Sequence, residues 1–92
     1  MEFDWDPAKN FTNLTKHGIS FVAASQVFDD PDHVVMDSTK SGNGEQRFKE
    51  IGQLGEKLFT DIFTDRGEFR RIISSRRART NERREYDQGK EV

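Results

Sequence analysis

Between Arg47 and Ser74 the chain reads as three strands joined by tight turns, and this stretch constrains the fold more than any other. Arg47 to Gln53, Lys57–Thr64 and Glu68–Ser74 carry the β-branched and aromatic residues of strands, and the breaks between them, Leu54-Gly55-Glu56 and Asp65-Arg66-Gly67, hold the glycine a hairpin uses. Strands linked this closely run antiparallel, because a parallel pair needs a crossover of a dozen or more residues. Val34-Val35-Met36 supplies an earlier strand. It is separated from the meander by Asp37 to Glu45, whose Ser, Gly and Asn predict a flexible loop.

The N-terminal third has a different rhythm. Phe3-Asp4-Trp5 alternates like a short half-buried strand. Asp6-Pro7 then opens a helix, because Asp accepts an orphan N–H and Pro lacks the one that would go unpaired. The helix is expected to reach about His17, with Phe11 and Leu14 inward and Lys16 and His17 in its last turn, where positive charge meets the dipole; Gly18 stops it. Ser20 caps a second helix bearing Phe21, Ala24, Val27 and Phe28, ended by Asp29-Asp30-Pro31-Asp32. Thr80 is the expected cap of a last helix to about Gln88, ending near Gly89. The order β-α-α-β-β-β-β-α makes an α+β chain: an antiparallel β-sheet packed with two N-terminal helices and a C-terminal helix, in a length that suits one domain over residues 1–92.

Charged residues are 35% of the chain against 32% hydrophobic, so the core is expected to be thin, yet eight Phe, one Trp and one Tyr supply the apolar area that a disordered chain lacks. The absence of Cys removes disulfides, thiolate nucleophiles and most structural zinc sites. An acidic N-terminus without an apolar run predicts neither signal peptide nor membrane contact, and a cytoplasmic location. The net charge of −2 is unevenly spread. From Arg66 to Arg84 there are eight Arg against Glu68 and Glu82, a local +6 that leaves −8 elsewhere. This predicts one basic face for a polyanion or an acidic partner; ion pairing within a surface helix would use the same residues.

Motifs for other chemistries are missing. No Gly-x-Ser-x-Gly, Walker loop or dinucleotide fingerprint occurs, which sets aside esterase, NTPase and dehydrogenase readings, and no cofactor is expected. His17 and His33 are too far apart in the chain for a metal pair and lack Cys companions, while Asp29, Asp30 and Asp32 read as a solvated helix end before they read as a Mg²⁺ site. The arginine run also lacks the interleaved aromatics of a sequence-reading RNA sheet.

Three sets of residues, in order and with compatible spacing, resemble the BrnT toxin family. The first is Phe3-Asp4-Trp5-Asp6-Pro7, Lys9, Asn13, Lys16-His17-Gly18-Ile19-Ser20-Phe21, Ala24 and Val27-Phe28-Asp29-Asp30. The second is Glu45, Arg47 and Ile51-Gly52; the third is Thr64-Asp65-Arg66, Arg71-Ile72-Ile73-Ser74, Arg76, Ala78, Glu82-Arg83 and Tyr86. The resemblance implies a RelE-like fold and a ribonuclease toxin that blocks translation. It also implies a BrnA antitoxin with a ribbon-helix-helix domain, a hetero-oligomer with that antitoxin, and contact with operator DNA only through it. The chain departs from the family at Ser75, at Arg79, which is expected to move the helix cap to Thr80, and at Asp61, which predicts that the strand holding it is not buried on both faces.

Cleaving RNA without a metal drives a 2′-OH onto the neighbouring phosphorus, which calls for cations on the phosphate oxygens and groups that take and give protons. Arg66, Arg71, Arg76 and Arg83 lie within the family strings and carry the fork that grips phosphate. On a helix, Glu82 and Tyr86 share a face at i,i+4, with Glu82 as a candidate base and Tyr86 as proton donor or stacking ring; the plain alternative is an ionic helix with Tyr packed on the sheet. Arg70, Arg77, Arg79, Lys16 and His17 are candidate RNA contacts, His17 being the other acid–base candidate although its place at a helix end already explains it. A non-catalytic binding module using the same arginine face for an acidic protein or DNA is the rival reading.

Overall fold

The computed structural model describes residues 1–38 and 44–90. The elements are β1 (Glu2–Asp4), α1 (Pro7–His17), α2 (Phe21–Val27), β2 (Val34–Asp37), β3 (Phe48–Leu54), β4 (Lys57–Arg66), β5 (Phe69–Arg77) and α3 (Thr80–Lys90). The expected order is therefore observed. Of the loop expected from Asp37 to Glu45, Asp37 ends β2, and residues 39–43 lie outside the described residues.

One five-stranded sheet runs β1-β5-β4-β3-β2. The meander β2 to β5 is antiparallel, but β1 pairs parallel with β5, Glu2 to Asp4 lying opposite Phe69 to Arg71, so the sheet is mixed and not wholly antiparallel. The two intervening helices make this possible: they carry the chain from β1 back over the sheet. The second hairpin turns later than the sequence suggested, with Arg66 still in β4 and paired to Phe69.

α1 and α2 cover one face. Ile19, Phe21, Ala24 and Ile72 form its buried cluster, with Phe3, Trp5 and Phe59 against them. Asp6 caps α1 by accepting from the Ala8 amide at 2.9 Å, and Gly18 closes it at φ +73°, where other residues are strained. The inward positions of α1 differ from expectation. Phe11 and Leu14 are 72% and 48% exposed, and Asn13 is the buried residue. Its amide donates to the Ser75 and Ile19 carbonyls, and its oxygen accepts from the Ser75 amide at 3.0 Å. Asn10 accepts from the Phe21 amide on the same side. The contact line of α1 is thus polar, because it meets backbone groups of β5 that have no strand beside them.

α3 covers part of the other face, where Ile51, Leu58 and Tyr86 pack with Val34, Met36 and Ala78. Its cap is Arg79, not Thr80: the Arg79 carbonyl accepts from the Arg83 amide, and the Glu82 carboxylate reaches back to the Arg79 amide at 2.8 Å. This is the carboxylate half of a capping box. β4 is buried on both faces despite Asp61, with Leu58, Thr60 and Thr64 toward α3 and Asp61 and Phe63 toward α2. Asp61 is tolerated because the Ser75 hydroxyl donates to it and Glu50 lies directly across on β3. Among the described residues no helix is long and apolar enough to cross a membrane.

Candidate functional site

The arginine run does not form one basic face. A strand sends alternate side chains to opposite sides, so β5 divides its arginines between the two faces of the sheet. Arg70 goes to the α2 side, where its guanidinium stands 5.0 Å from the Phe28 ring centre and 4.4 Å from that of Phe63, gripped in parallel by Asp65 at 2.8 and 3.1 Å. Arg77 falls on the same side, 5.9 Å from the Phe59 ring.

Arg71 and Arg76 are five apart, so an unbroken strand would place them on opposite faces. A bulge intervenes: Phe63 pairs with Ile72 and Ile62 with Ser74, leaving Ile73 as the extra residue. Arg71 opposite Thr64 and Arg76 opposite Thr60 consequently share the α3 face.

Arg76 is the centre of the strongest polar cluster on that face. Its Nη1 and Nη2 donate to Glu82 Oε1 and Oε2 at 2.7 and 2.9 Å. The same carboxylate accepts from the Thr60 hydroxyl at 3.0 Å and the Arg79 amide, and Lys49 Nζ stands 3.6 Å from it and 3.5 Å from Glu85. Burial alone would raise the Glu82 pKa, but the hydrogen bonds from Arg76, the Arg79 amide and Thr60 outweigh it and hold the group down to about 2. A carboxylate held that low is a poor proton acceptor near neutrality. The geometry therefore gives Glu82 the work of fixing Arg76 and Lys49, in place of the base role its position suggested.

Beside this cluster lies a cavity of about 520 Å³ between β5, β3 and the start of α3, whose wall includes Ser38, Arg47, Lys49, Ser74, Arg76, Arg79, Asn81 and Glu82. Among the described residues this wall brings Arg47, Lys49, Arg76 and Arg79 together with Glu82, and Lys49 also reaches Glu85. Arg47 and Lys49 were not singled out as site residues in the sequence, although period-two alternation puts both on the face of Ile51.

The other expected site residues lie elsewhere. Tyr86 is 3% exposed and donates to Asp30 Oδ2 at 2.7 Å; burial and that carboxylate raise its pKa above the ordinary value. It does share the inner face of α3 with Glu82, but its hydroxyl is committed to a structural bond. Asp30 also accepts from the Gln53 and Asp32 amides, so the helix end expected to be merely solvated is a tether between α2, β3 and α3. Arg66 pairs with Glu45 at 2.8 and 3.1 Å, and Arg71 with Asp4 at 3.2 Å, in a group at the far end of the sheet. Arg83 is exposed on the outer side of α3. Lys16 and His17 line a separate cavity of about 320 Å³ beside α1. Among the described residues no group of three or more His, Asp or Glu side chains is arranged to hold a metal ion.

Residues 5–82 match the model of a family described as the ribonuclease toxin, BrnT, of type II toxin-antitoxin systems. No curated protein matches the chain.

Proposed function

Since the chain belongs to the BrnT family of ribonuclease toxins of type II toxin–antitoxin systems, we propose that it is an endoribonuclease that needs no metal and performs its chemistry in the cavity between β3, β5 and α3. The observation that carries this reading is the Arg76–Glu82–Lys49 cluster on the cavity wall, with Arg47 and Arg79 beside it. Attack by a 2′-OH, whose proton passes to solvent water, forms the bond to phosphorus as the bond to the 5′ oxygen breaks, and puts additional negative charge on the phosphate oxygens. Arg76 and Arg79 are set to receive that charge, and a cation already held in place needs no reorganisation as charge develops. Lys49, an ammonium with three donors, is the group in the cavity able to give a proton to the departing 5′ oxygen. Arg66, Arg71 and Arg83 act in this reading as outlying phosphate contacts.

We further propose a RelE-like fold, one toxin domain over residues 1–92, arrest of translation in the cytoplasm by RNA cleavage, and neutralisation by a BrnA-like ribbon-helix-helix antitoxin that covers the basic cavity; membership of a ribonuclease toxin family of type II toxin–antitoxin systems supports this reading. The test is RNA cleavage by the purified chain with EDTA present, alongside the Arg76→Ala and Lys49→Ala variants. Cleavage is expected to survive EDTA and to fall on the order of 10²–10³-fold in Arg76→Ala, as for other lost electrostatic donors. Loss of activity with EDTA, or a folded Arg76→Ala variant at the wild-type rate, would sink the proposal.

A further inference from the structure

The cavity beside α1 is bounded by Lys9, Thr12, Lys16 and His17 on one side and by Ile73 and Ser74 on the other. Ile73 and Ser74 also line the β3–β5–α3 cavity, so the two cavities adjoin at the bulge of β5. Lys9, Thr12, Asn13 and Lys16 recur at i, i+3, i+4 and i+7, one stripe along the helix, which roots the two ammonium groups about 10 Å apart. Asn13 holds this stripe against the edge of β5 through its bonds to Ser75. The cations differ in their pairing. Arg66, Arg70, Arg71 and Arg76 each meet a carboxylate, whereas Lys9 and Lys16 meet none among the described residues. Two uncompensated ammonium groups beside a cavity that abuts the basic site are suited to a chain of phosphates.

We propose that the α1–β5 cavity is a second RNA subsite, in which Lys9 and Lys16 hold phosphates of the strand that leaves the β3–β5–α3 cavity across Ile73 and Ser74, with His17 beside them. The proposal rests on the RNA-cleaving reading above and adds to it a direction for the substrate: the strand crosses the bulge of β5 toward α1. The subsite binds without taking part in the chemical step. Short RNA occupies the first cavity alone; longer RNA occupies both.

The experiment compares binding and single-turnover cleavage of RNAs of about 4 and about 16 nucleotides, the range of single-strand site sizes. The proteins are the wild type, Arg76→Ala, and the double variant Lys9→Ala with Lys16→Ala, changed at two exposed positions and checked for folding by circular dichroism. The double variant should bind the long RNA on the order of tenfold more weakly, with a log–log salt slope shallower by about 1.4, two phosphates at about 0.7 each. Its affinity for the short RNA and its saturated cleavage rate should not move. Equal weakening for both lengths, or unchanged affinity for the long RNA, overturns the subsite while wild-type cleavage and its loss in Arg76→Ala keep the cleaving reading. Failure of the wild type to cleave either RNA overturns both.

Discussion

Arg76 and Glu82 meet in a two-pronged ion pair, 2.7 and 2.9 Å, that ties the last strand to the last helix and turns a cation toward the basic cavity. The Glu82 side chain is 3% exposed and that of Arg76 24%, so breaking the pair by removing one member strands a largely buried charge. The Glu82→Gln variant is expected to lose RNA cleavage by about the factor lost in Arg76→Ala, because the guanidinium is no longer fixed. The same variant reports on acid stability. The folded pKa of about 2 lies below the ordinary 4.5, so the stabilisation is present above pH 4.5 and lost as pH falls toward 2. At neutral pH it amounts to on the order of 3 kcal/mol. Urea unfolding of both proteins should show the gap between them closing over that interval; a constant gap would remove the pair from the account of stability.

Glu50 and Asp61 make the opposite prediction. They face each other across β3 and β4, fully buried on the α2 side, and among the described residues no donor reaches either Glu50 oxygen, so ionised Glu50 is an interior charge without a hydrogen bond from them, while protonated Glu50 donates to Asp61. Burial raises the Glu50 pKa most, the charges of Asp61 and Asp30 add to this, and Arg70 opposes it; burial also raises Asp61 against the Ser75 hydrogen bond. A raised acid gives stability that is complete below its ordinary value of 4.5 and declines as pH climbs. Glu50→Gln should therefore be nearly neutral near pH 4.5 and stabilise increasingly toward alkaline pH, by at least about 1 kcal/mol there, a rise in Tm of roughly 4 °C or more. Thermal melts across pH decide it: an alkaline loss in the variant would show the ionised carboxylate to be wanted.

Gly52 tests the closeness of α2 to the sheet. A Cβ at that position would stand 2.7 Å from Val27 Cγ1 and 2.9 Å from the Val27 carbonyl oxygen. Side-chain rotation relieves the first contact and not the second. Gly52→Ala should cost about 1–3 kcal/mol in denaturant unfolding, the usual penalty for overfilling a packed interior; an unchanged midpoint would mean that the helix is free to shift.

Arg70 is the control within the arginine run. It lies on the other side of the sheet from the basic cavity, over Phe28 and Phe63 and paired with Asp65. Arg70→Ala is expected to retain cleavage within a few-fold while lowering stability by about 1 kcal/mol, from lost cation–π contact and packing. A drop comparable to that of Arg76→Ala would mean that the substrate reaches both faces.

These contrasts mark where the sequence could be read and where it could not. Element order was legible because the local signals agreed: Asp6-Pro7 and Gly18 bracket α1, and Gly55 and Gly67 mark both hairpins. The burial of Asn13 was not, since helical periodicity detects apolar stripes and α1 meets the sheet through amides. Nor was it legible which arginines share a face, since Arg71 and Arg76 come to one side only through a single extra residue at Ile73 that alternation cannot reveal. Lys49 was missed for a related reason: its partners Glu82 and Glu85 are more than thirty positions away, and only the fold of α3 over β3 brings them near.

Asn13 has a consequence beyond the packing of one helix. A strand with bare amides at its border invites a further chain to add to it, the first step toward runaway lateral association. Beyond the short β1, that border of β5 is exposed to the same hazard, and the Asn13 carboxamide, binding both the N–H and the C=O of Ser75, fills the place of a neighbouring peptide group. It acts as a stopper, and along this side the molecules are kept from templating one another whether or not a partner is bound.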